Sequence, residues 1–488
     1  MKNYFLTAIS ILLFSGFTFA QESGWKYAES ITQNDLRDHL KIIASAEMEG
    51  RETGTEGQRK AAAYIESQFK KLGLLAPKSL KGYQQYYPLL KDTLVPKKLK
   101  IGNQEYTYGT DYILQGTSDE TKDLKANEII FAGYGISDKN YSDYIGKNVK
   151  GKVVVVLSGE PEEDGKYLVS GTNKSSRWAF SSAMKVAAAM ENGAAGVIFI
   201  NTSWSAIPTQ LSASSKSTRL YFPRNNDTKK LNLISMSPSS LKNIFSEAEA
   251  NSILNSAKEK IALNNISISK KITTKLSFIK STTKVMASNV IGYIEGTDLK
   301  DEYVFLTAHY DHLGKIGNVI YYGADDDGSG TVSVLEMAEA FAKAKAAGHG
   351  PRRTVVFMTV SGEEKGLWGS EYYSEHPVFP LEKTTVDLNT DMIGRLDPGR
   401  TYGDSTNYVY VVGDDKLSSD LNPISVSIND KYTKLELDYK FNDPKDPERI
   451  YFRSDHYNFA RKGVPIIFYF DGIHKDYHKP TDTWDKIN

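Results

Sequence analysis

The stretch that decides the fold is residues 303–330, YVFLTAHYDHLGKIGNVIYYGADDDGSG. It opens on a run of apolar, aromatic and β-branched residues typical of a buried strand, and this run ends abruptly at His309, Asp311 and His312. Residues 331–346 follow with Ala, Glu and Met at helical spacing. The segment therefore predicts a strand, a polar loop and a helix, which is the repeating unit of a parallel sheet covered by helices.

The same alternation continues on both sides of this segment. Further strands are predicted at residues 290–294, 354–360, 385–389 and 464–470. The predicted fold class is α/β, with a mostly parallel mixed sheet flanked by helices. In such sheets ligands lie at the carboxyl ends of the strands, so polar residues are expected there.

Polar residues do follow these strands. The turns after the predicted strands carry, in chain order, His309 to His312, Asp325 to Asp327, Glu363 and Glu364, Asp391, and His474 with His478. Taken singly, each has an ordinary structural interpretation, because an Asp after a strand is usually a helix cap or a turn former. Taken together they predict a cation, because packing so many carboxylates side by side without one is costly.

The composition restricts which metal this is. The chain has no Cys, so any metal must be held by His, Asp and Glu. Imidazole and carboxylate ligands without thiolates suit zinc first, with Co²⁺ or Mn²⁺ as possible substitutes.

These motifs occur together, and in the same order, in a known family. The pattern consists of His309-x-Asp311, Gly323-x-x-Asp326-Asp327-x-Ser329-Gly330, Glu363-Glu364, Asp391 and His478. It resembles the co-catalytic zinc aminopeptidases of peptidase family M28, and the resemblance covers essentially all of residues 286–488. It implies a hydrolase that removes N-terminal residues from peptides with a free N-terminus.

The resemblance also implies a set of metal ligands. Asp326 would bridge two Zn²⁺ ions. His309 and Asp391 would complete one metal site, and Glu364 and His478 would complete the other. His478 is preferred to His474 because the run from His478 to Thr483 fits the closing motif of the family.

Three catalytic roles follow from the same resemblance. Glu363 would be the general base, and Asp311 would orient His309. Tyr451, three residues before Ser454, falls where these aminopeptidases place a tyrosine against the substrate carbonyl. The family also has a cis peptide bond between the residues that correspond to Asp326 and Asp327.

The remaining histidines and pocket candidates receive weaker interpretations. His312, His456 and His474 are interpreted as structural or rim residues. Trp368, Met392 and Phe470 could line a side-chain pocket, although packing in the core is the favoured interpretation for each.

The parts of the chain before residue 286 are assigned on less specific motifs. Residues 21–115 are interpreted as the N-terminal part of the peptidase domain, on the basis of the run GRETGTEG at residues 50–57. Residues 116–285 resemble an inserted protease-associated (PA) domain, which would be rich in β-structure. The resemblance implies a closing helix after Trp484, for which this sequence leaves only a few residues.

The N-terminus predicts export. Lys2 precedes an apolar run from Phe5 to Phe19, and the small residues around Ala20 offer a cleavage site, so residues 1–20 are interpreted as a signal peptide. The expected location is the periplasm or the medium, without a stable membrane anchor after cleavage. The 60 basic and 60 acidic residues give a net charge of zero, which argues against a nucleic-acid partner.

Three alternatives stay open at this point. A carboxypeptidase or dipeptidase of the same superfamily would use the same metals and would recognise a substrate carboxylate, with Arg395, Arg453 or Arg461 as candidates. A glutaminyl cyclase-like enzyme shares the fold. A non-catalytic binding protein on a degenerate peptidase fold is disfavoured, because every expected ligand position is filled.

Overall fold

A computed structural model describes residues 24–116, 123–215, 219–224 and 231–488. The predicted signal peptide, residues 1–20, lies outside the described residues. The described residues separate into two compact units, one formed by residues 24–89 and 285–488 and the other by the described residues between 90 and 284. We call the first the catalytic unit, after the family resemblance of its sequence, and the second the inserted unit.

Strands account for much of both units. Within the described ranges they are, in chain order, β1 Gln84–Ile101, β2 Gln104–Tyr106, β3 Tyr112–Gly116, β4 Leu124–Ala126, β5 Ile129–Phe131, β6 Val153–Leu157, β7 Glu162–Glu163, β8 Lys166–Tyr167, β9 Gly196–Ile200, β10 Arg219–Tyr221, β11 Leu233–Met236, β12 Ser269–Lys270, β13 Thr274–Ile294, β14 Leu299–His309, β15 Lys315–Ile316, β16 Val319–Ile320, β17 Arg353–Val360, β18 Thr384–Thr390, β19 Tyr408–Val412, β20 Glu436–Asp438 and β21 Ile466–Phe470.

The helices fall between these strands. Over the same described ranges the α-helices with defined bounds are α1 Gln33–Ile43, α2 Glu56–Lys71, α3 Ser182–Glu191, α4 Thr209–Ser215, α5 Leu241–Ile244, α6 Glu247–Lys258, α7 Gly330–Ala346, α8 Trp368–Glu375, α9 Leu421–Ile428 and α10 His456–Ala460. No helix in the described part of the chain is both long enough and apolar enough to cross a bilayer.

The catalytic unit is built on a mixed sheet whose centre is parallel. β14 pairs in parallel with β17 on one side and with β18 on the other, and β18 pairs in parallel with β21. The end of β13 adds to β17 in the antiparallel sense, as β19 does to β21. The α/β fold class predicted from the sequence is confirmed.

Helices cover both faces of this sheet, which explains why β17 and the second half of β14 are mostly apolar. One core packs α1, α2 and α7 on the sheet, with Leu40, Ile65 and Val334 fully or almost fully buried. The other core packs α8 and α10, through residues such as Tyr373 and Phe459. Because both faces of the sheet are buried, polar residues that bind a ligand are expected at the carboxyl ends of the strands.

The inserted unit has its own sheet and its own core. Its strand order is β12-β5-β6-β9-β11-β3, in which β5, β6, β9 and β11 are parallel. The core is formed by residues such as Phe131, Val155 and Ile198, all buried. The unit begins at Leu90, so the predicted boundary at residue 115 falls inside it. Its classification as a PA domain stays a prediction.

Local signals explain most element ends. Thr55 precedes α2 without a capping hydrogen bond from its side chain, and the helix ends at Lys71, shortly before Gly73. β17 and β18 coincide with the predicted strands to within one residue. Residues 203–285, which show little periodicity, contain short elements and the first part of the 21-residue strand β13.

Candidate metal centre

The centre forms where the parallel strands of the catalytic unit end. β14 ends at His309, β17 is followed by Glu363 and Glu364, and β18 is followed by Asp391. The loop before α7 brings in Asp326. Because these strands run in the same direction in one sheet, side chains from four separate parts of the sequence lie at one edge.

Asp326 lies at the middle of the cluster. Its Oδ1 atom is 3.2 Å from His309 Nε2, and its Oδ2 atom is 3.1 Å from His478 Nε2. The same nitrogen of His478 is 3.1 Å from Glu364 Oε2, and His309 Nε2 is 3.6 Å from Asp391 Oδ1. The two oxygens of one carboxylate therefore face two separate His-and-carboxylate sets.

The donor atoms fit zinc. A tetrahedral zinc ion with ligand bonds of about 2.0–2.1 Å holds neighbouring donor atoms about 3.3 Å apart, and the distances above lie close to that value. His309 Nε2, Asp326 Oδ2 and Glu364 Oε1 are buried and make no hydrogen bond of good geometry in the described part of the chain, although each lies 2.7–3.2 Å from another polar atom of the cluster. A bound cation would satisfy all three atoms.

The electrostatics of the cluster also favour a cation. Burial alone would lower the pKa of His478, but the carboxylates of Asp326 and Glu364 raise it to about 10. Burial raises the pKa of Glu363 well above its usual range, and the negative charges of Glu364 and Asp391 act in the same direction. The cluster therefore has an excess of negative charge, which a bound cation would balance.

Glu363 lies beside the ligand atoms. Its Oε2 atom is 3.9 Å from His309 Nε2, which is farther than the separation of neighbouring zinc ligands. Its backbone N–H donates to Asp311 Oδ1 at 3.2 Å. Asp311 also accepts a hydrogen bond from the Thr53 hydroxyl at 2.5 Å, and its Oδ1 atom lies 3.7 Å from His309 Nδ1. Asp311 thus connects the turn that carries Glu363 to the imidazole of His309.

Two residues outside the predicted ligand set also belong to the cluster. Asp327 is fully buried, and its carboxylate accepts backbone N–H groups of His309, Gly330 and Met392 at 3.1, 2.9 and 3.2 Å. Both oxygens of Asp327 therefore already accept hydrogen bonds that hold the loops in position. His312, interpreted from the sequence as a structural or rim residue, has its Nδ1 atom 2.7 Å from Glu364 Oε1 and 3.8 Å from Asp326 Oδ2.

A buried arginine holds the two loops that carry His309 and Asp326. Arg51 is completely buried, and its guanidinium donates to the carbonyl oxygens of Tyr310, Ile43, Tyr322 and Gly323 at 2.7–2.8 Å. Tyr310 follows His309 directly, and Gly323 begins the acidic loop. The sequence placed Arg51 in the N-terminal part of the peptidase domain, but its pattern gives no indication of these four bonds.

The acidic loop itself is fixed by its backbone. The peptide bond between Asp326 and Asp327 is cis, as the resemblance implies. The Asp482 carboxylate accepts the backbone N–H of Asp325 at 3.1 Å and that of Asp326 at 3.2 Å. His474 contacts Asp325, with Nε2 3.2 Å from Oδ2, so the structure brings His478 and not His474 to the central carboxylates.

A cavity adjoins the cluster. Its lining comprises Asp326, Glu363, Asp391, Met392, Ile450, Arg453, Phe468, Phe470, Ile473 and Tyr477. Met392 and Phe470 therefore lie on its wall, whereas Trp368 does not belong to it. The cavity is small, about 40 Å³, and its apolar wall lies next to the candidate metal ligands.

The tyrosine of this cavity is Tyr477. Its ring stacks on the His478 ring, with the centroids 3.8 Å apart, and its hydroxyl accepts a hydrogen bond from Arg453 at 3.2 Å. Tyr451 packs against Phe452 and His456, with ring centroids 5.2 and 5.8 Å away, and does not line the cavity. The role of Tyr451 stays a prediction. Tyr477 directly precedes His478 in the sequence, and this position is the signal that could have identified Tyr477 as a residue of the site.

His456 has the structural environment expected from the sequence. It is completely buried, its Nε2 atom lies 2.8 Å from the Tyr451 carbonyl oxygen, and its ring stacks on Phe468. Burial lowers the pKa of His456 to about 3, so the ring is neutral.

Comparison with solved structures shows the same fold. An aminopeptidase from Aneurinibacillus sp. strain AM-1 superposes with a TM-score of 0.54 at 19% identity, covering 95% of this chain and 91% of that chain. A zinc aminopeptidase from Bacillus subtilis superposes with a TM-score of 0.50 at 20% identity, covering 93% of this chain and 90% of that chain.

Comparison of sequences identifies the family. A probable zinc metalloprotease of Pyrenophora tritici-repentis is 34% identical over 119 residues, 22% of each chain. A vacuolar membrane protease of Saccharomyces cerevisiae is 32% identical over 160 residues, which are 32% of this chain and 15% of that protein. The chain thus spans less than a quarter of the length of these two relatives. The model of peptidase family M28 matches residues 289–488. These residues, which contain most of the cluster described above, belong to peptidase family M28.

Proposed function

We propose that the protein is an exported di-zinc aminopeptidase that hydrolyses the first peptide bond of peptides with a free N-terminus. The observation that carries this proposal is the position of Asp326, whose two oxygens face His309 and His478 at 3.2 and 3.1 Å. A carboxylate shared in this way is what two adjacent metal ions require. Glu363 lies beside the pair without taking part in it.

The ligands divide into two sets around Asp326. His309 and Asp391 would hold one zinc ion, Glu364 and His478 would hold the other, and Asp326 would contribute one carboxylate oxygen to each site. When bound, the two ions would polarise the scissile carbonyl and lower the pKa of the attacking water. Co²⁺ or Mn²⁺ could replace zinc in this ligand set.

Glu363 moves the proton. Its carboxylate accepts the proton of the attacking water as the bond from oxygen to the carbonyl carbon forms, and it then delivers that proton to the leaving amine as the C–N bond breaks. Asp311 fixes this residue through the backbone N–H of Glu363 and holds the orientation of His309.

The free N-terminus is recognised by charge. Asp326, Glu363 and Asp391 all line the cavity. These carboxylates would attract a protonated α-amine, and an unprotonated α-amine could bind a metal ion held there. The first side chain of the substrate would lie against Met392 and Phe470. An acetylated N-terminus offers neither the charge nor the free amine.

A second candidate follows from Arg453. This residue also lines the cavity, and an arginine is the preferred partner of a carboxylate, so a carboxypeptidase or dipeptidase would use it to hold the C-terminus of the substrate. Arg395 is less suited to that role, because it already pairs with Asp476 at 3.2 Å.

One experiment separates these functions. A mixture of peptides, each present free and N-acetylated, is incubated with zinc-loaded protein and followed by mass spectrometry. Stepwise loss of N-terminal residues from the free peptides alone supports the proposal. Trimming from the C-terminus in both forms would assign the carboxypeptidase, and no cleavage of any peptide would contradict both.

Export is a separate part of the proposal. It rests on residues 1–20, whose charged start and apolar run are typical of a signal peptide. Expression of the full chain in a bacterial host, followed by fractionation and N-terminal sequencing, tests it. A mature chain beginning at Gln21 outside the cytoplasm supports export, and an intact N-terminus in the cytoplasm contradicts it.

A further inference from the structure

The inserted unit contains a cavity of about 520 Å³ that the peptidase reaction does not use. We call it the strand-end cavity, because Ser158 and Gly159 follow β6 directly and Asn201 and Thr202 follow β9 directly. β6 and β9 are parallel, so both turns lie at the same edge of the sheet. This edge is where open α/β sheets bind their ligands.

The wall of the cavity is fixed from behind. The Lys185 ammonium, almost completely buried, donates to the carbonyl oxygens of Tyr134 at 2.5 Å and Gly159 at 2.8 Å. The turns after β6 and β9 are joined by a contact of 2.8 Å between the hydroxyls of Ser158 and Thr202. The cavity is therefore a preformed feature of the unit, and its volume is within the range of small-molecule sites.

The charged groups of the cavity are paired, apart from a solvent-exposed lysine, Lys258, at its rim. Both carboxylate oxygens of Glu160 accept hydrogen bonds from the backbone N–H and the hydroxyl of Ser176. Lys260 pairs with Glu162 at 2.6 Å and donates to the Tyr167 hydroxyl at 3.1 Å. The Glu160 carboxylate repels phosphates and other carboxylates, and its two oxygens are already occupied by Ser176. Because Lys260 is paired and Lys258 is solvent-exposed at the rim, the ligand that fits best is neutral.

The other lining groups combine aromatic rings with neutral hydrogen-bonding groups. Phe180 is 83% exposed although it is a large apolar residue, and Trp204, which is half-buried, also belongs to the lining. Ser182, Asn201 and Thr202 supply hydroxyl and amide groups that can both donate and accept. An exposed aromatic face next to such groups matches a pyranose ring, whose C–H face is apolar and whose edge carries hydroxyls.

We propose that the strand-end cavity binds a neutral oligosaccharide, with Phe180 and Trp204 as aromatic platforms and Asn201 as a hydroxyl partner. An extended peptide is a poorer match, because peptides of this kind add to the edge of a sheet, and this cavity opens at strand ends. The proposal concerns the inserted unit alone and does not depend on the proposed peptidase activity.

Calorimetric titration of the full-length protein tests the proposal. The probes are maltotetraose, cellotetraose, mannotetraose and N,N′,N″,N‴-tetraacetylchitotetraose, each to about 10 mM, with an N-acetylated, C-amidated peptide of eight residues for comparison. Saturable binding of at least one oligosaccharide, and of no peptide, is expected. Binding of the peptide alone, or of no probe, would overturn the proposal.

Variants locate the binding. Phe180→Ala and Asn201→Ala should each lower the affinity for the oligosaccharide by at least about 10-fold, which is about 1.4 kcal/mol. Ile145→Ala is the matched control, because Ile145 is 78% exposed in the same unit and does not line the cavity. Circular dichroism and cleavage of a small aminoacyl substrate should be unchanged in all three variants. Unchanged affinity in both cavity variants, or equal loss in the control, would overturn the assignment.

Discussion

Replacement of Arg51 by lysine tests how the metal centre is held together. The guanidinium of Arg51 donates to four main-chain carbonyls, two of which belong to the loops that carry His309 and Asp326. Lysine keeps the charge but has three N–H donors at one point, so at least one buried carbonyl loses its partner. Because the four carbonyl oxygens approach from different directions, we expect two of the four hydrogen bonds to be lost in the lysine variant.

The magnitude follows from these bonds. Each buried carbonyl left without a partner costs about 1–3 kcal/mol, so the loss of two bonds in Arg51→Lys should lower the free energy of unfolding of the catalytic unit by about 2–6 kcal/mol. The displaced loops should also weaken zinc binding by about 10–100-fold, which is the usual effect of removing a group that orients ligands.

The assay uses metal-free protein for stability and zinc-loaded protein for affinity. Urea unfolding is followed by far-ultraviolet circular dichroism, and zinc affinity is measured by competition with a chelator. Arg59→Lys is the matched control, because Arg59 lies on α2, is exposed and pairs only with Glu56 and the Gly54 carbonyl. It should change the free energy of unfolding by less than about 0.5 kcal/mol. Equal behaviour of the Arg51→Lys and Arg59→Lys variants would refute the role of Arg51.

Three further predictions concern individual side chains. Glu363→Gln should lower kcat by about 10²–10⁴-fold with zinc still bound, whereas Glu364→Gln should lose zinc itself; equal zinc loss in both variants, measured by elemental mass spectrometry, would contradict this division. His478→Asn should lose about one zinc ion per chain, because His478 Nε2 is 3.1 Å from both Asp326 and Glu364, while His312→Asn should retain two ions with weaker binding; the opposite result would make His312 the ligand. Burial raises the pKa of Asp387 to about 8, so its protonated form stabilises the fold fully below the unfolded value of about 3.9, and this contribution is lost as the pH rises through 8. Asp387→Asn should therefore gain stability relative to the parent between pH 4 and pH 8, by at most about 1.4 kcal/mol per pH unit, and parallel urea-unfolding curves across that range would exclude the effect.

Local patterns in the sequence were sufficient for the main elements. The apolar run before His309 and the helical spacing after Gly330 fix β14 and α7, because a strand buried on both faces and a helix with one apolar stripe leave different periodicities. Hydrophobic periodicity does not predict the elements of residues 203–285. The short strands and helices there are stabilised by the core of the inserted unit and have little periodicity of their own. The compact unit begins at Leu90, within the long strand β1, and no change in the local pattern marks that position.

The sequence by itself determined which residue types could form a metal centre and the order in which they occur. Zero cysteines and the recurrence of Asp, Glu and His after strands restricted the ligands before any geometry was available. Only the tertiary structure decided the partners: His478 and not His474 beside Asp326, His312 against Glu364, Tyr477 in the cavity, and Arg51 between two loops. These contacts join residues far apart in the chain, and their distances depend on how strands pair and loops pack, which no local pattern records.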